Sequence, residues 1–132
     1  MPSRPRSSWL DRLGIGVSIT CAIHCVGAAL LAAAPAFAAT ASPALGEKFE
    51  EAEGALLWIA LAVGATALLP AYLRDHRNPA PLGLFAGGIA FLAASRMFEA
   101  AGLEIALTVT GVALVASAHV VNLRAHRHTH AH

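Results

Sequence analysis

Lysine is almost missing from this sequence: Lys48 is the sole example in 132 residues. Charged residues make up 13% and aromatic residues 6%. Soluble domains carry about 25% charged residues, so the solvated Lys/Glu faces of soluble helices are largely absent. Formal net charge is +1 and no basic stripe interleaves with aromatics. That pattern excludes a strong polyanion-binding field and argues against nucleic acid as a partner. Two cysteines, Cys21 and Cys25, are too few for a disulfide framework. Four residues apart on a helix, their β-carbons lie about 5–6 Å apart, whereas a disulfide needs about 3.5–4.5 Å. The pair therefore presents two thiols side by side. No Ser/His/Asp set, carboxylate pair or phosphate loop lies at one consistent depth, so no enzyme is expected.

What is present is apolar residues, at 57%. They fall into four runs, about 14–35, 55–73, 81–98 and 105–123, with no charge between Arg12 and Glu47. About 20 helical residues cross the hydrocarbon core of roughly 30 Å. The first, second and fourth runs reach that length. The third does so only if Arg96 snorkels and Met97 and Phe98 complete it. The expectation is an all-α polytopic membrane protein, a compact four-helix bundle whose membrane domain covers 14–123. A short arm, 1–13, precedes it and a His-rich tail, 124–132, follows.

The first run has a second reading. Arg4, Arg6 and Arg12, an apolar stretch and then Ala36-Phe37-Ala38 resemble a secretory signal with its cleavage site. The run exceeds the roughly 7–15 residues of such a segment, and it carries Cys21, His24 and Cys25. A retained span is the better reading.

Charge sets the orientation. Arg4, Arg6, Arg12, Arg74, Arg77, Arg124 and Arg127, seven of the nine basic residues, fall on one side. Lys48, Arg96 and the acidic stretch Glu47–Glu53 fall on the other, with Glu99 and Glu104. The positive-inside rule then puts both termini in the cytoplasm. The acidic connection reads as a solvated outside loop that also concentrates cations. Small residues suit close helix packing, with Gly83 and Gly87 forming a G-x-x-x-G and Gly64 and Gly111 offering similar contacts.

Polar groups inside a span are costly and so are functional candidates by default. Asp11, Gly14, Ser18, Cys21 and Cys25 follow a 3-4-3-4 spacing, one stripe of a helix. His24 lies beside it, so Cys21, His24 and Cys25 fall within about a 100° arc. Thiolates favour soft ions, and imidazole suits Zn, Cu, Fe and Ni. These three are the candidate metal ligands, while Asp11, Ser18 and Asn122 are structural polar groups. His119, near the end of the fourth run, is either an accessory ligand or a hydrogen-bond partner between helices. It approaches Cys21 only if the first and fourth spans pack together. His126, His128, His130 and His132 alternate along the tail. They form an adaptable metal-binding arm, a solvated end or the remnant of a purification tag. His76 belongs to a solvated loop.

These residues resemble the MerC family of bacterial mercury-resistance membrane proteins. The likeness rests on Asp11-Arg12-Leu13-Gly14 leading into Ser18-x-x-Cys21-x-x-His24-Cys25, on His76-Arg77, and on Ala118-His119-x-x-Asn122-x-Arg124. It covers roughly residues 10 to 124 and includes the four-span layout. The resemblance implies uptake of mercuric ion across the inner membrane and delivery to a cytoplasmic reductase, with Cys21 and Cys25 as the membrane thiol pair. The chain departs from the best-known mercuric transporters in two ways: a Cys-x-x-His-Cys spacing replaces Cys-x-x-Cys, and the C-terminal region offers histidines in place of a cysteine pair. Imidazole is harder than thiolate, so zinc or copper competes with mercury as the metal. A non-transporting subunit that packs against a larger complex is the alternative from another class. Oligomeric state is open.

Overall fold

A chain surrounded by lipid has no water to pair its peptide groups, and a helix satisfies them within one segment. In a computed structural model the described residues form four such helices. The structure describes residues 6–33, 42–98 and 100–129; the side chains of 6–8, 28–29, 31–33, 75–76, 101 and 126–129 are outside that description. Ala36-Phe37-Ala38, His130 and His132 therefore lie outside the described residues, as do the side chains of His76, His126 and His128.

Helix α1 runs Arg6–Ala33, α2 Pro43–Pro70, α3 Ala80–Ser95 and α4 Ala101–Thr129. Each begins or ends where the local chemistry changes. Ser42 precedes α2 and Pro43 occupies its first turn, where a missing N–H costs nothing. Pro70 closes α2, and Ala71–His76 continue as a wider π-helical turn. Proline cannot donate to the preceding turn and crowds its carbonyl, which accounts for the break in α-helical register there. Arg77 then takes a left-handed conformation, φ 47°, which stops the helix. Asn78 accepts a hydrogen bond from the Ala80 N–H at 3.0 Å and opens α3.

α1, α2 and α4 are long and apolar enough to cross a membrane. α3 has 16 residues, about 24 Å at the helical rise. Its α-helix stops at Ser95, and the chain turns through tighter bonds, Met97 N–H to the Ala94 carbonyl and Phe98 N–H to that of Ser95. Met97 and Phe98 thus do not lengthen it as α-helix. α2 begins well before the apolar run it contains, so Glu47, Glu50, Glu51 and Glu53 are helical residues and not a loop. α1 likewise starts before Asp11, which is a buried helical residue.

Each helix buries one stripe at 3–4 spacing. On α2 it is Ala60, Gly64, Ala67 and Leu68; on α3, Pro81, Phe85, Gly88, Leu92 and Ser95. On α4 it is Thr108, Gly111, Val112, Val115, Ala118, His119 and Asn122. The outward faces are apolar too: Ile23 and Trp58 are each 71% exposed. Such a surface is a liability in water and the expected one in lipid. α4 is the central helix, packed along both α3 and α1, while α2 leans mainly on α1.

The closest crossing is between α3 and α4. A β-carbon on Gly88 would stand 2.8 Å from the Gly111 carbonyl oxygen, and one on Gly111 2.9 Å from that of Gly88. The G-x-x-x-G pair is elsewhere: Gly83 faces open space, and Gly87 meets only Leu114 at 3.9 Å. Gly64 makes room for the Phe85 ring between α2 and α3.

Candidate metal centre

Asp11, Gly14, Ser18 and Cys21 are buried along one stripe of α1, and Cys25 continues it half-buried. Ser18 returns its hydroxyl hydrogen to the Gly14 carbonyl at 2.9 Å, so it is satisfied within its own helix. The two sulfurs lie 3.7 Å apart, Cys21 in the apolar core of the bundle and Cys25 toward α2. Both cysteines are free thiols.

His24 points toward α2. Its ring stands 5.5 Å from that of Phe49, tilted by 50°, at the edge of a shallow cleft shared with Leu45 and Lys48. The donor atoms of His24, Cys25 and Glu53 all lie within 4.8 Å of one another. Cys21 joins this group only through Cys25. The structure thus splits the three ligands of the sequence reading into two overlapping sets with Cys25 in common. His24 Nδ1 is sealed from solvent and has no hydrogen-bond partner among the described residues. Glu53 holds Arg96 Nη1 on its Oε2 at 3.0 Å.

Glu53 is the residue that sequence reasoning missed. In the sequence it belongs to the acidic stretch Glu47–Glu53, which reads as solvated. Its neighbours Glu50 and Glu51 are exposed, but Glu53 is half-buried. The signal is the buried stripe of α2 read backwards: Ala60, then Leu57, then Glu53, then Phe49, at the same 3–4 spacing.

A different constellation occupies the far end of α1. Asp11 Oδ1 lies 2.9 Å from His119 Nδ1, and Asp11 Oδ2 accepts a hydrogen bond from Asn122 Nδ2 at 2.8 Å. All three side chains are at most 1% exposed. An ionised carboxylate only accepts hydrogen bonds, so opposite such a group the ring hydrogen of His119 sits on Nδ1. Gly14 lies flat against the same ring, leaving no space for a β-carbon, and Phe85 meets it edge-on at 6.4 Å. α1 and α4 do pack together, but His119 is committed to Asp11 and is not placed among the thiol ligands.

Among the described residues, helices with apolar outer faces, three of them of spanning length, and a polar cluster enclosed between them define an all-α polytopic membrane protein. The model of the MerC mercury resistance protein family matches residues 11–124. The chain belongs to that family, which is one of membrane resistance proteins and not of enzymes. Among curated proteins and solved structures, none matches.

Proposed function

We propose that the protein carries mercuric ion across the bacterial inner membrane, taking it on the thiols of Cys21 and Cys25. The observation that carries this reading is the sulfur separation of 3.7 Å inside a membrane helix. With metal–sulfur bonds of about 2.3 Å, an ion bridging two sulfurs at that distance subtends nearly a tetrahedral angle. Rotation about the two Cα–Cβ bonds opens the pair toward a linear S–metal–S arrangement. Capture releases the thiol protons, and soft thiolates favour the softest available ion.

Cys21 lies ten residues beyond Asp11, about 15 Å along the helix. That depth suits an ion crossing a core of roughly 30 Å. The arginine distribution puts both termini in the cytoplasm, and Asp11 meeting Asn122 at one end of the bundle supports a shared side. The ion is then handed to a cytoplasmic thiol acceptor such as a reductase, the His-rich tail being an accessory stop.

The test is mercuric-ion accumulation in intact cells at matched membrane levels of protein. Wild type should accumulate the ion, and Cys21→Ser and Cys25→Ser should each lose at least nine-tenths of that gain. Normal accumulation in both variants overturns the reading. A gain in zinc or copper alone, from parallel assays, replaces the substrate.

A further inference from the structure

The thiol pair accounts for Cys21 and Cys25 and leaves three features of the same end unexplained. His24 Nδ1 is sealed from solvent without a hydrogen-bond partner among the described residues. Glu53 is a half-buried carboxylate within a candidate span, Pro43–Arg74. Their donor atoms and Cys25 Sγ converge within 4.8 Å. A buried polar atom without a partner costs about 1–3 kcal/mol, and an ionisable side chain within a span carries a further penalty. Both are relieved if the three donors share a cation.

We propose that His24, Cys25 and Glu53 form a second, exchangeable site for a borderline divalent cation of the zinc class, overlapping the thiol pair at Cys25. The donor set is one nitrogen, one sulfur and one oxygen, each a zinc ligand. Two purely soft donors, as in the thiol pair, select softer ions. Around a tetrahedral ion at ordinary bond lengths, donors lie about 3.4–3.8 Å apart. Side-chain rotations of about 1 Å close the observed set onto an ion. Three protein ligands leave the fourth position open, which is the pattern of open and not of closed, structural zinc sites. On binding, the Cys25 thiol hydrogen leaves to water as the sulfur–metal bond forms. Glu53 has a second oxygen besides the one facing Arg96, so it can accept the ion before or after parting from the guanidinium.

The overlap has a consequence for substrate choice. Cys25 cannot serve a mercuric ion with Cys21 and a zinc-class ion with His24 and Glu53 at once. The two ions therefore compete for one sulfur. The inference extends the thiol-pair reading without depending on it, because a zinc-class ion needs neither Cys21 nor transport.

The experiment is a Co2+ titration of the full chain in detergent, with His126, His128, His130 and His132 replaced by Ala so that the tail contributes no sites. The readouts are the thiolate-to-cobalt charge-transfer band and the intensity of the tetrahedral visible bands, followed by Zn2+ displacement. One cobalt per chain is expected, with a thiolate band. Cys21→Ser should keep it within about threefold in affinity; Cys25→Ser should abolish the thiolate band. His24→Gln and Glu53→Gln should each weaken binding at least tenfold. One equivalent of Hg2+ should erase the cobalt spectrum of the otherwise unsubstituted sites. Glu53→Gln should still bind one Hg2+, which shows a folded chain with an intact thiol pair. The proposal fails if Cys21→Ser loses cobalt as completely as Cys25→Ser, or if Glu53→Gln binds cobalt as well as the parent. Loss of Hg2+ binding in the parent would instead overturn the thiol-pair reading and leave a normal cobalt result standing.

Discussion

The two ends of this bundle both place polar side chains between helices, and they treat them in opposite ways. At one end Asp11 has both carboxylate oxygens engaged, by His119 and Asn122, and all three residues are buried. At the other, His24 Nδ1 has no partner among the described residues, two thiols face each other, and Glu53 is paired with a half-exposed Arg96. Buried polar groups are nearly always paired, and the exceptions call for an explanation. The first end is explained by the protein itself: it is a clamp between α1 and α4. The second is left open among the described residues, which is why the proposed metal sites rest there. A buried histidine beside a carboxylate looks like chemistry in a sequence; here it is the better satisfied of the two.

The comparison breaks if the clamp proves dispensable, and Gly14→Leu presses hardest on that. The new side chain would have to occupy the space of the His119 ring, which is held by Asp11 and flanked by Phe85. Overpacking costs about 1–3 kcal/mol, and driving His119 off Asp11 adds the loss of a buried pair. A total of about 3–5 kcal/mol is expected, read as a fall in detergent unfolding stability or in inserted protein. Unchanged stability would mean that α1 and α4 are not locked by this contact.

Asp11→Ala is the next test and is milder. Interhelical hydrogen bonds in membranes average about 0.6 kcal/mol with a maximum near 1.7, and Asp11 receives two. A loss of about 1–3 kcal/mol follows, with Hg2+ stoichiometry at Cys21 and Cys25 unchanged in the folded fraction. Lost Hg2+ binding at full stability would reverse the assignment of the two ends.

How much of this is legible in the sequence depends on distance along the chain. The stripe from Asp11 to Cys25 is local, so its 3–4 spacing displays one face of α1 without any partner. The same is true of the apolar lengths that imply membrane helices. The clamp is not local: Asp11 and Asn122 are brought together only by the packing of α1 on α4. From sequence, His119 is equally a ligand or a hydrogen-bond partner, and only that packing separates the two. Gly83 and Gly87 look like an interface because small residues four apart are common in any Ala/Gly-rich span, whereas Gly88 meets Gly111 because of how α3 crosses α4. Glu53 is hidden by its company. Three glutamates nearby are exposed, and only the phase of α2, set by Ala60 and Gly64 further along, turns this one inward.

The finest test of the contrast is Arg96→Gln, because Arg96 is the charged partner that Glu53 holds at the open end. Its side chain is 38% exposed and that of Glu53 19%. An ion pair so accessible to solvent contributes about 0–1 kcal/mol, so unfolding stability should barely move. Metal affinity is more telling. If Arg96 merely occupies a carboxylate that awaits a cation, removing its charge relieves a competitor. A unit charge about 4 Å away in a watery dielectric is worth about 1 kcal/mol, so Co2+ affinity should rise about fivefold. A fall would show that Arg96 holds Glu53 in its binding pose, making the pair a built support like the clamp at the opposite end. Either direction is measurable in the same titration, and a rise keeps the two ends distinct in kind: one closed by its own residues, the other held open for an ion.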